Sequence, residues 1–204
     1  LLTILISGFA AVLILQPIGG AISDGIGVAV SGAIEKGGAF TGAILGGTFL
    51  PLVMTGLHQG LTPIHADLLD TTGVTTLLPI LAMAGAGQVG ASFAVLARTK
   101  NKRLKQTIGS ALPVGILGIG EPLIYGVTLP LGKPFLGACI GGAVGGAIVA
   151  PAKVGAMGMG ISGLPLALLI APGGVGRFIL GIIGAYVGGF IATLILGFDD
   201  PVEE

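Results

Sequence analysis

The sequence predicts an all-α integral membrane protein, a polytopic helical bundle with one or two re-entrant hairpins. Hydrophobic residues make up 53% of the 204 positions and charged residues only 9%, whereas about 25% of residues in a soluble protein are charged. The mean hydropathy is +1.05, which suits burial in lipid. Proline and glycine interrupt several apolar runs, and broken backbone at membrane depth is tolerated only where it lines a cavity or is buried in protein.

The first 36 residues predict an apolar helix followed by an amphipathic or interfacial helix. The apolar run Leu1–Gln16 is slightly short of the ~20 residues that a spanning helix needs, and we expect it to end at Pro17–Gly20. Charged residues then recur at roughly helical spacing over Ala21–Lys36, which favours a helix lying at the interface. The chain opens inside an apolar run without an initiator Met or the pattern of a signal peptide. We therefore interpret it as part of a longer protein.

Residues 37–198 predict the main membrane region. Gly37-Gly38 breaks the chain before a span over Ala39–Leu57, whose glycines form a small-residue contact face. A second apolar segment, Thr71–Ala97, is interrupted by Pro79 and Gln88, and we expect it to be a kinked span.

The apolar run Thr107–Ile119 is too short to cross a ~30 Å hydrocarbon core as a helix. It predicts one arm of a re-entrant hairpin whose tip is Glu121-Pro122, with Leu123–Leu131 as the return arm. The later segments follow in order: a glycine-rich span over Phe135–Val149, a second broken or re-entrant element over Val154–Gly174, and the clearest span over Val175–Phe198.

Charge patterning predicts the sidedness of the chain. Five of the nine basic residues lie within Arg98–Lys105, and a short basic loop between membrane segments is typically cytoplasmic. A nucleic-acid patch is disfavoured in such a short loop. The acidic residues 199–204 predict a hydrophilic exit or linker on leaving the last span.

Glu121 is the outstanding candidate functional residue. It lies in Gly118-Ile119-Gly120-Glu121-Pro122, where Pro122 disfavours helix before it and the glycines permit a break. A carboxylate in apolar surroundings must be paired, hydrated or protonated, so it predicts a polar-ligand or proton site. The alternative is a carboxylate that caps neighbouring backbone donors.

A second polar cluster follows the first span of the main region. It contains both histidines, His58 and His65, together with Gln59 and Thr62. We predict that these side chains contact a ligand, although Gln59 and Thr62 are equally typical of local backbone caps and His65 of a helix cap or an interface. No nearby cysteine accompanies the histidines, which argues against a zinc site.

These two clusters carry a family resemblance. Gly56-Leu57-His58-Gln59, followed by Gly120-Glu121-Pro122, resembles the membrane-embedded IIC component of the bacterial sugar phosphotransferase system, in its glucose superfamily. The likeness extends from about Ala39 to the acidic Asp199-Asp200-Pro201 exit. Gly120, where related branches more usually have Thr, makes the stretch most similar to the N-acetylmuramic acid-specific branch.

The resemblance implies a transport domain over residues 37–198 in a multi-pass protein of the bacterial inner membrane. It implies that Glu121 and His58 line a sugar site, and that the bound sugar is carried across and phosphorylated by a cytoplasmic IIB domain, with IIA upstream. Other implied partners are the lipid bilayer and a second copy in a homodimer. No cofactor or metal is implied, and Glu121 is the residue that would orient, or take the proton from, the attacking hydroxyl.

Three alternatives remain open at this point. The chain is either such a permease, a proton-coupled carrier with Glu121 as its proton site, or a membrane fragment without independent activity. Whether it counts as an enzyme is also open, because Cys139 lies in an apolar span and does not match the phosphorylated cysteine of IIB domains. Lys133 either anchors a helix end or meets the lactyl carboxylate of N-acetylmuramic acid.

Overall fold

The computed structural model describes the backbone of residues 16–201 and of positions 3, 8, 9 and 13, with side chains described continuously from residue 36. In chain order the described helices are α1 (Gln16–Thr55), α2 (Thr62–Thr72), α3 (Leu77–Arg98), α4 (Lys102–Ile116), α5 (Glu121–Leu123), α6 (Lys133–Val149) and α7 (Val175–Leu196). Two 3-10 helices, Leu57–Leu61 and Leu164–Leu169, and a π-helical stretch, Ile124–Thr128, lie between them. Within the described chain, extended pairing is limited to the isolated bridges Thr75–Ala156 and Ala156–Ile170. The all-α prediction is confirmed.

The N-terminal half of α1 differs from the expected arrangement. The predicted stop at Pro17–Gly20 is wrong, because these residues lie in the first turns of α1. Proline is tolerated there, since the first backbone N–H groups of a helix have no partner within it. The predicted break at Gly37-Gly38 is confirmed as a kink with φ 46° at Gly38. The predicted helix over Leu1–Gln16 lies mostly outside the described residues, as do the side chains that would make Ala21–Lys36 amphipathic.

Three helical stretches in the described chain are long and apolar enough to cross a membrane: Lys36–Met54, Leu77–Arg98 and Val175–Leu196. Helix α3 begins later than the predicted span because residues 73–76 form a loop after α2. Pro79 lies in its first turn, where the missing N–H breaks no helical bond, so the expected kink is absent. Helix α6, at 17 residues, reaches the lower limit of about 17–25 residues for a span.

Helix α3 is the buried centre of the bundle, and α1, α4, α6 and α7 pack around it. The outer helices present apolar side chains to the surroundings at intervals of three or four residues. On α6 these are Leu136, Ile140, Val144 and Ile148, and on α7 they are Leu180, Ile183, Val187, Ile191 and Ile195. Such stripes suit contact with lipid tails, in agreement with an integral membrane protein.

Glycine allows α6 to approach its neighbours at backbone distance. A Cβ atom on Gly142 would lie 2.9 Å from Ala84 Cα of α3 and would overlap the Gly46 carbonyl oxygen of α1. On its other side, Gly141 faces α7, where an added Cβ would lie 2.7 Å from Gly189 Cα. Without a hydrophobic driving force between helices in lipid, such close packing is a main source of association.

Two broken elements fill the space beside α3. The first runs from α4 through a turn at residues 117–120 into α5 and the π-helical stretch, as the predicted helix–break–helix element requires. Its return arm is anchored by the fully buried Leu123 and Val127, which pack against Val89 and Leu112. The second occupies residues 150–174, with the 3-10 helix Leu164–Leu169. Its Ala156 forms one bridge to Thr75 and another to Ile170. Both elements turn toward the same region of the bundle.

The acidic exit is attached to the loop between α3 and α4. This loop is shorter than the predicted basic loop over Arg98–Lys105: it comprises residues 99–101, because Arg98 ends α3 and Lys102 begins α4. Thr99 Oγ1 donates to Asp200 Oδ1, and the Lys100 N–H donates to Asp200 Oδ2 over 2.6 Å. Asn101 Nδ2 donates to the Pro201 carbonyl over 3.0 Å. The residues that follow α7 therefore lie on the same side of the bundle as the loop between α3 and α4.

We expect Asp200→Asn to loosen this attachment. The hydrogen bonds from Thr99 and from the Lys100 N–H lower the pKa of Asp200. A depressed pKa means that the stabilisation is complete above the ordinary aspartate value of about 3.9 and is lost as the pH falls through the lower folded value. At pH 7, amide hydrogen exchange at Lys100 should be roughly 3- to 10-fold faster in the variant, the modest effect expected of an exposed site. The matched control is Asp199→Asn, which should leave this exchange rate unchanged; an equal effect would show that the charge of the exit matters rather than this contact.

Candidate functional site

A cleft of about 140 Å³ opens where the end of α1, the middle of α3 and the two broken elements meet. Its walls are mostly apolar or glycine backbone, with a few polar side chains among them. The lining residues are Phe49, Leu50, Val53, His58, Leu81, Gly85, Gln88, Gly115, Gly118, Gly120, Glu121, Ile124, Ser162 and Gly163. A largely apolar concavity with a few convergent polar groups is the usual form of a small-molecule site.

Glu121 lies at this cleft because of the break before it. Gly120 adopts a helical conformation, and its carbonyl accepts from the Leu123 and Ile124 N–H groups at 3.0 and 2.9 Å. These bonds start the return arm, whose buried Leu123 holds it against α3 and α4. The Glu121 side chain itself is exposed. In the described chain it has neither a hydrogen bond nor an ion pair, so its carboxylate is free to accept bonds from a ligand.

His58 reaches the cleft from the 3-10 helix that follows α1. Its ring meets Phe49 edge to face, with the centroids 6.1 Å apart. His58 Nε2 lies 3.2 Å from Gln59 Nε2. As the Gln59 amide is placed, its nitrogen can only donate, so Nε2 accepts and Nδ1 carries the proton of the neutral ring. His58 Nδ1 is buried without a partner, which leaves a donor to be satisfied.

Gln88 is a polar residue of the cleft whose role the sequence analysis missed. It was expected only to interrupt a span, but it is fully buried on α3. Its Nε2 donates to Thr128 Oγ1 over 3.4 Å, whereas its Oε1 has no hydrogen-bond partner. The available signal was an uncharged polar side chain in the middle of an apolar helix, which is costly unless it is satisfied.

The tips of the two broken elements touch at the edge of the cleft. Ser162 Oγ donates to the Gly118 carbonyl over 2.9 Å. Gly118 and Gly163 both have positive φ, at 98° and 68°. A Cβ atom on Gly163 would lie 2.6 Å from the Ile116 oxygen and 2.7 Å from Gly118 N. The contact is therefore backbone against backbone, and neither glycine has room for a side chain.

Gly163→Ala should lower the stability of the protein by more than the conformational cost of placing alanine at a positive φ. Gly173 of the same element provides the matched control, because it also has positive φ (84°) but nothing lies within 4 Å of an added Cβ. Positive φ costs alanine roughly 1–2 kcal/mol in the left-handed helical region. Gly163, with ψ −156°, lies outside that region, so its conformational cost reaches about 3 kcal/mol. Separating the tips should add about 1–3 kcal/mol for Gly163→Ala. Thermal midpoints in detergent measure the difference; equal midpoints for the two variants would show that the tip contact contributes nothing.

The other predicted site residues have different surroundings. His65 is buried, with Nδ1 3.0 Å from Thr75 Oγ1. Gln59 and Thr62 are exposed, and neither they nor His65 are among the residues that line the cleft. Lys133 is exposed in the first turn of α6, also outside the cleft lining. The structure thus brings His58 and Glu121 to one cleft; Gln59 contacts His58 from outside the cleft lining, and His65 and Thr62 do not line the cleft.

Chemically, the cleft offers an unpaired donor at His58, an unpaired neutral acceptor at Gln88 and a carboxylate at Glu121. Apolar walls from Phe49 and Leu50 accompany them. This arrangement suits a neutral, hydroxyl-rich molecule, whose groups both donate and accept and whose carbon skeleton packs on apolar surface.

Comparison with known proteins agrees with these features. The family profile described as "Phosphotransferase system, EIIC" matches residues 1–142, which is more than half of the chain. The chain belongs to this family. No solved structure matches the chain significantly.

Its relatives include proteins named PTS system MurNAc-GlcNAc-specific EIIBC component. The one from Staphylococcus epidermidis is 53% identical over 198 residues, covering 96% of this chain and 42% of the relative. Those from Staphylococcus saprophyticus and Staphylococcus aureus are 51% identical over 205 residues, covering 100% of this chain and 43% and 42% of the relatives. The chain thus spans less than half the length of these curated relatives. The EIIC resemblance noted from the short motifs at His58 and Glu121 is confirmed by both comparisons.

Proposed function

We propose that this EIIC chain binds a sugar in the cleft between the two broken elements and carries it across the membrane for phosphorylation by a IIB domain. The observation that carries this proposal is the convergence of His58 and Glu121 on one cleft from segments about sixty residues apart. The unpaired donor and free acceptors there match the needs of sugar hydroxyls. Bonds to the carboxylate are charge-assisted and belong to the stronger class.

The proposed substrate is N-acetylmuramic acid, or its combination with N-acetylglucosamine. The names of the Staphylococcus relatives support this choice, as does the likeness of the Gly120-Glu121-Pro122 stretch. The lactyl carboxylate of N-acetylmuramic acid would have to avoid Glu121, and neither lysine nor arginine is among the described residues that line the cleft. We therefore expect the hydroxyl and acetamido groups to face Glu121 and His58, with the lactyl group directed toward the opening.

In the proposed mechanism, Glu121 accepts a hydrogen bond from the sugar hydroxyl that attacks the phosphoryl group. Phosphoryl transfer depends mostly on positioning and electrostatic stabilisation. A carboxylate held at the start of the return arm would orient that hydroxyl, and His58 would hold the ring through Nδ1. The phosphoryl donor is a phosphocysteine of the IIB domain, which receives its phosphoryl group from IIA. As the sugar O–P bond forms, the S–P bond breaks, the IIB cysteine leaves as a thiolate, and the hydroxyl proton passes to the Glu121 carboxylate.

We place the IIB partner on the side of the basic loop. The attachment of Asp200 to Thr99 and Lys100 supports this placement, because a basic loop between spans is typically cytoplasmic. The relatives are named EIIBC components, in keeping with a IIB domain close to the membrane part.

We also propose where the chain is located and how it is organised. The protein would cross the bacterial inner membrane several times. Residues 37–198 would form its transport domain and residues 199–204 a linker. The full protein would form a homodimer.

A phosphorylation assay tests this function. Vesicles containing the protein would receive labelled N-acetylmuramic acid, with or without phosphorylated IIB domain and with or without a protonophore. We expect labelled sugar phosphate only when IIB is present, and no effect of the protonophore. Uptake of unmodified sugar that needs no IIB and collapses with the protonophore would contradict the proposal and indicate a proton-coupled carrier.

A further inference from the structure

Gln88 combines complete burial with an unsatisfied acceptor. Its side chain has 0% relative exposure, yet Oε1 has no hydrogen-bond partner. A buried polar atom without a partner is rare in folded proteins, because its lost hydration is not replaced by a hydrogen bond. Because Gln88 lines the cleft, a ligand bound there can donate the missing hydrogen bond to this oxygen.

Two hydroxyl groups of the described residues are also buried without a hydrogen-bond partner, but they lie outside the cleft. Ser92 Oγ, one helical turn beyond Gln88 on α3, and Thr193 Oγ1 on α7 are also buried without partners. Neither residue lines the cleft. A hydroxyl on a helix can turn toward a preceding carbonyl, whereas the Gln88 amide is held by its bond to Thr128.

Gly120 lies beside the Gln88 oxygen and leaves the space there free of any side chain. A Cβ atom at position 120 would lie 2.9 Å from Gln88 Oε1, and the backbone of Gly120 is helical, at φ −84° and ψ −19°. The conformation of Gly120 therefore does not require glycine, but the space beside Gln88 does. Glu121, the next residue, lines the same cleft.

We propose that Gln88 is a sugar-binding residue whose buried amide oxygen accepts a hydrogen bond from an N–H or O–H group of the sugar once the sugar enters the cleft, and that Gly120 is required because a side chain there would occupy the space beside this oxygen. This proposal rests on the sugar-binding function proposed above. In this proposal the central helix α3 contributes a sugar-binding residue, in addition to Glu121 and His58. Because this acceptor is uncharged and held in place, it favours sugars that have a hydrogen-bond donor opposite it. Gln88 is therefore a determinant of sugar specificity in this proposal.

Calorimetry on the purified protein in detergent tests the proposal, with N-acetylglucosamine and glucose as probes. Gln88→Leu removes the acceptor and Gly120→Ala covers it, so each should weaken N-acetylglucosamine binding about tenfold, the effect of one lost hydrogen bond. If the donor is the acetamido N–H, glucose binding should be unchanged. If the donor is a hydroxyl, both sugars should weaken alike.

Two controls separate recognition from structure. Ser92→Ala and Thr193→Val each remove a buried hydroxyl that has no partner and lies outside the cleft; both variants should bind within about threefold of wild type. Wild-type binding that survives in Gln88→Leu and Gly120→Ala would overturn this proposal alone, as would an equal loss of binding in Ser92→Ala and Thr193→Val. A folded wild type that binds neither sugar would overturn the sugar-binding function and this proposal with it.

Discussion

Replacing Glu121 by Gln should weaken sugar binding roughly 10- to 100-fold, because a hydrogen bond to a charged group contributes about 1.5–3 kcal/mol. The substitution keeps the size of the side chain and one acceptor oxygen, but it removes the charge and directs an amide N–H toward the cleft. Since Glu121 is exposed and without a protein partner in the described chain, the fold should keep its thermal midpoint. Calorimetric titration of the detergent-purified protein with N-acetylglucosamine and N-acetylmuramic acid measures the change.

Asp67→Asn is the matched control for that substitution. Asp67 is an exposed carboxylate on α2, outside the cleft lining, so its neutralisation should leave the affinity unchanged. Equal affinity of Glu121→Gln and wild type would remove Glu121 from the sugar site and favour a proton-binding role. Equal weakening by Asp67→Asn would indicate that overall charge, rather than the cleft, controls binding.

The second large effect is expected at Gly142. In Gly142→Ala the new methyl group would meet backbone atoms on two helices at once, the Gly46 carbonyl of α1 and Ala84 Cα of α3. Backbone cannot move aside as the end of a flexible side chain can, so we expect a destabilisation of about 3 kcal/mol, the upper part of the range for overpacking. For a chain of this size the thermal midpoint should fall by roughly 6–12 °C.

Gly176→Ala provides the comparison for Gly142→Ala. Gly176 is also helical, on α7, but nothing lies within 4 Å of an added Cβ. Alanine favours a helix over glycine by about 1 kcal/mol, so this variant should match or slightly exceed the wild-type midpoint. A Gly142→Ala protein as stable as Gly176→Ala would contradict the close approach of α1, α3 and α6.

Local signals in the sequence reveal the broken backbone but not what it touches. Pro122 disfavours a helical conformation at Glu121, and the neighbouring glycines permit other conformations. These local preferences predict a break in the helix, and the structure contains that break. The bond from Ser162 to Gly118 joins residues 44 positions apart, and no periodicity encodes such a pairing. The same limit applies to His65, whose neighbours in sequence suggested a ligand site but whose actual partner, Thr75, lies ten residues later in the loop that follows α2.

Helix boundaries and single polar residues show a second limit. Apolar length predicted a span beginning at Thr71, because threonine is compatible with either a span or a loop; the helix begins at Leu77, after Gly73 ends α2 with a positive φ of 75°. Gln88 looked like an interruption, because sequence cannot show which face of α3 the cleft would use. Only the packing of both broken elements against that face makes Gln88 a neighbour of Gly120.

A structure of the protein determined with saturating N-acetylglucosamine tests the central claim most directly. The account predicts sugar density in the cleft between the two broken elements, within hydrogen-bonding distance of His58 Nδ1 and the Glu121 carboxylate. Density bound elsewhere, for example in the apolar groove beside Phe93 and Phe190 between α3 and α7, with the cleft empty of sugar, would contradict it.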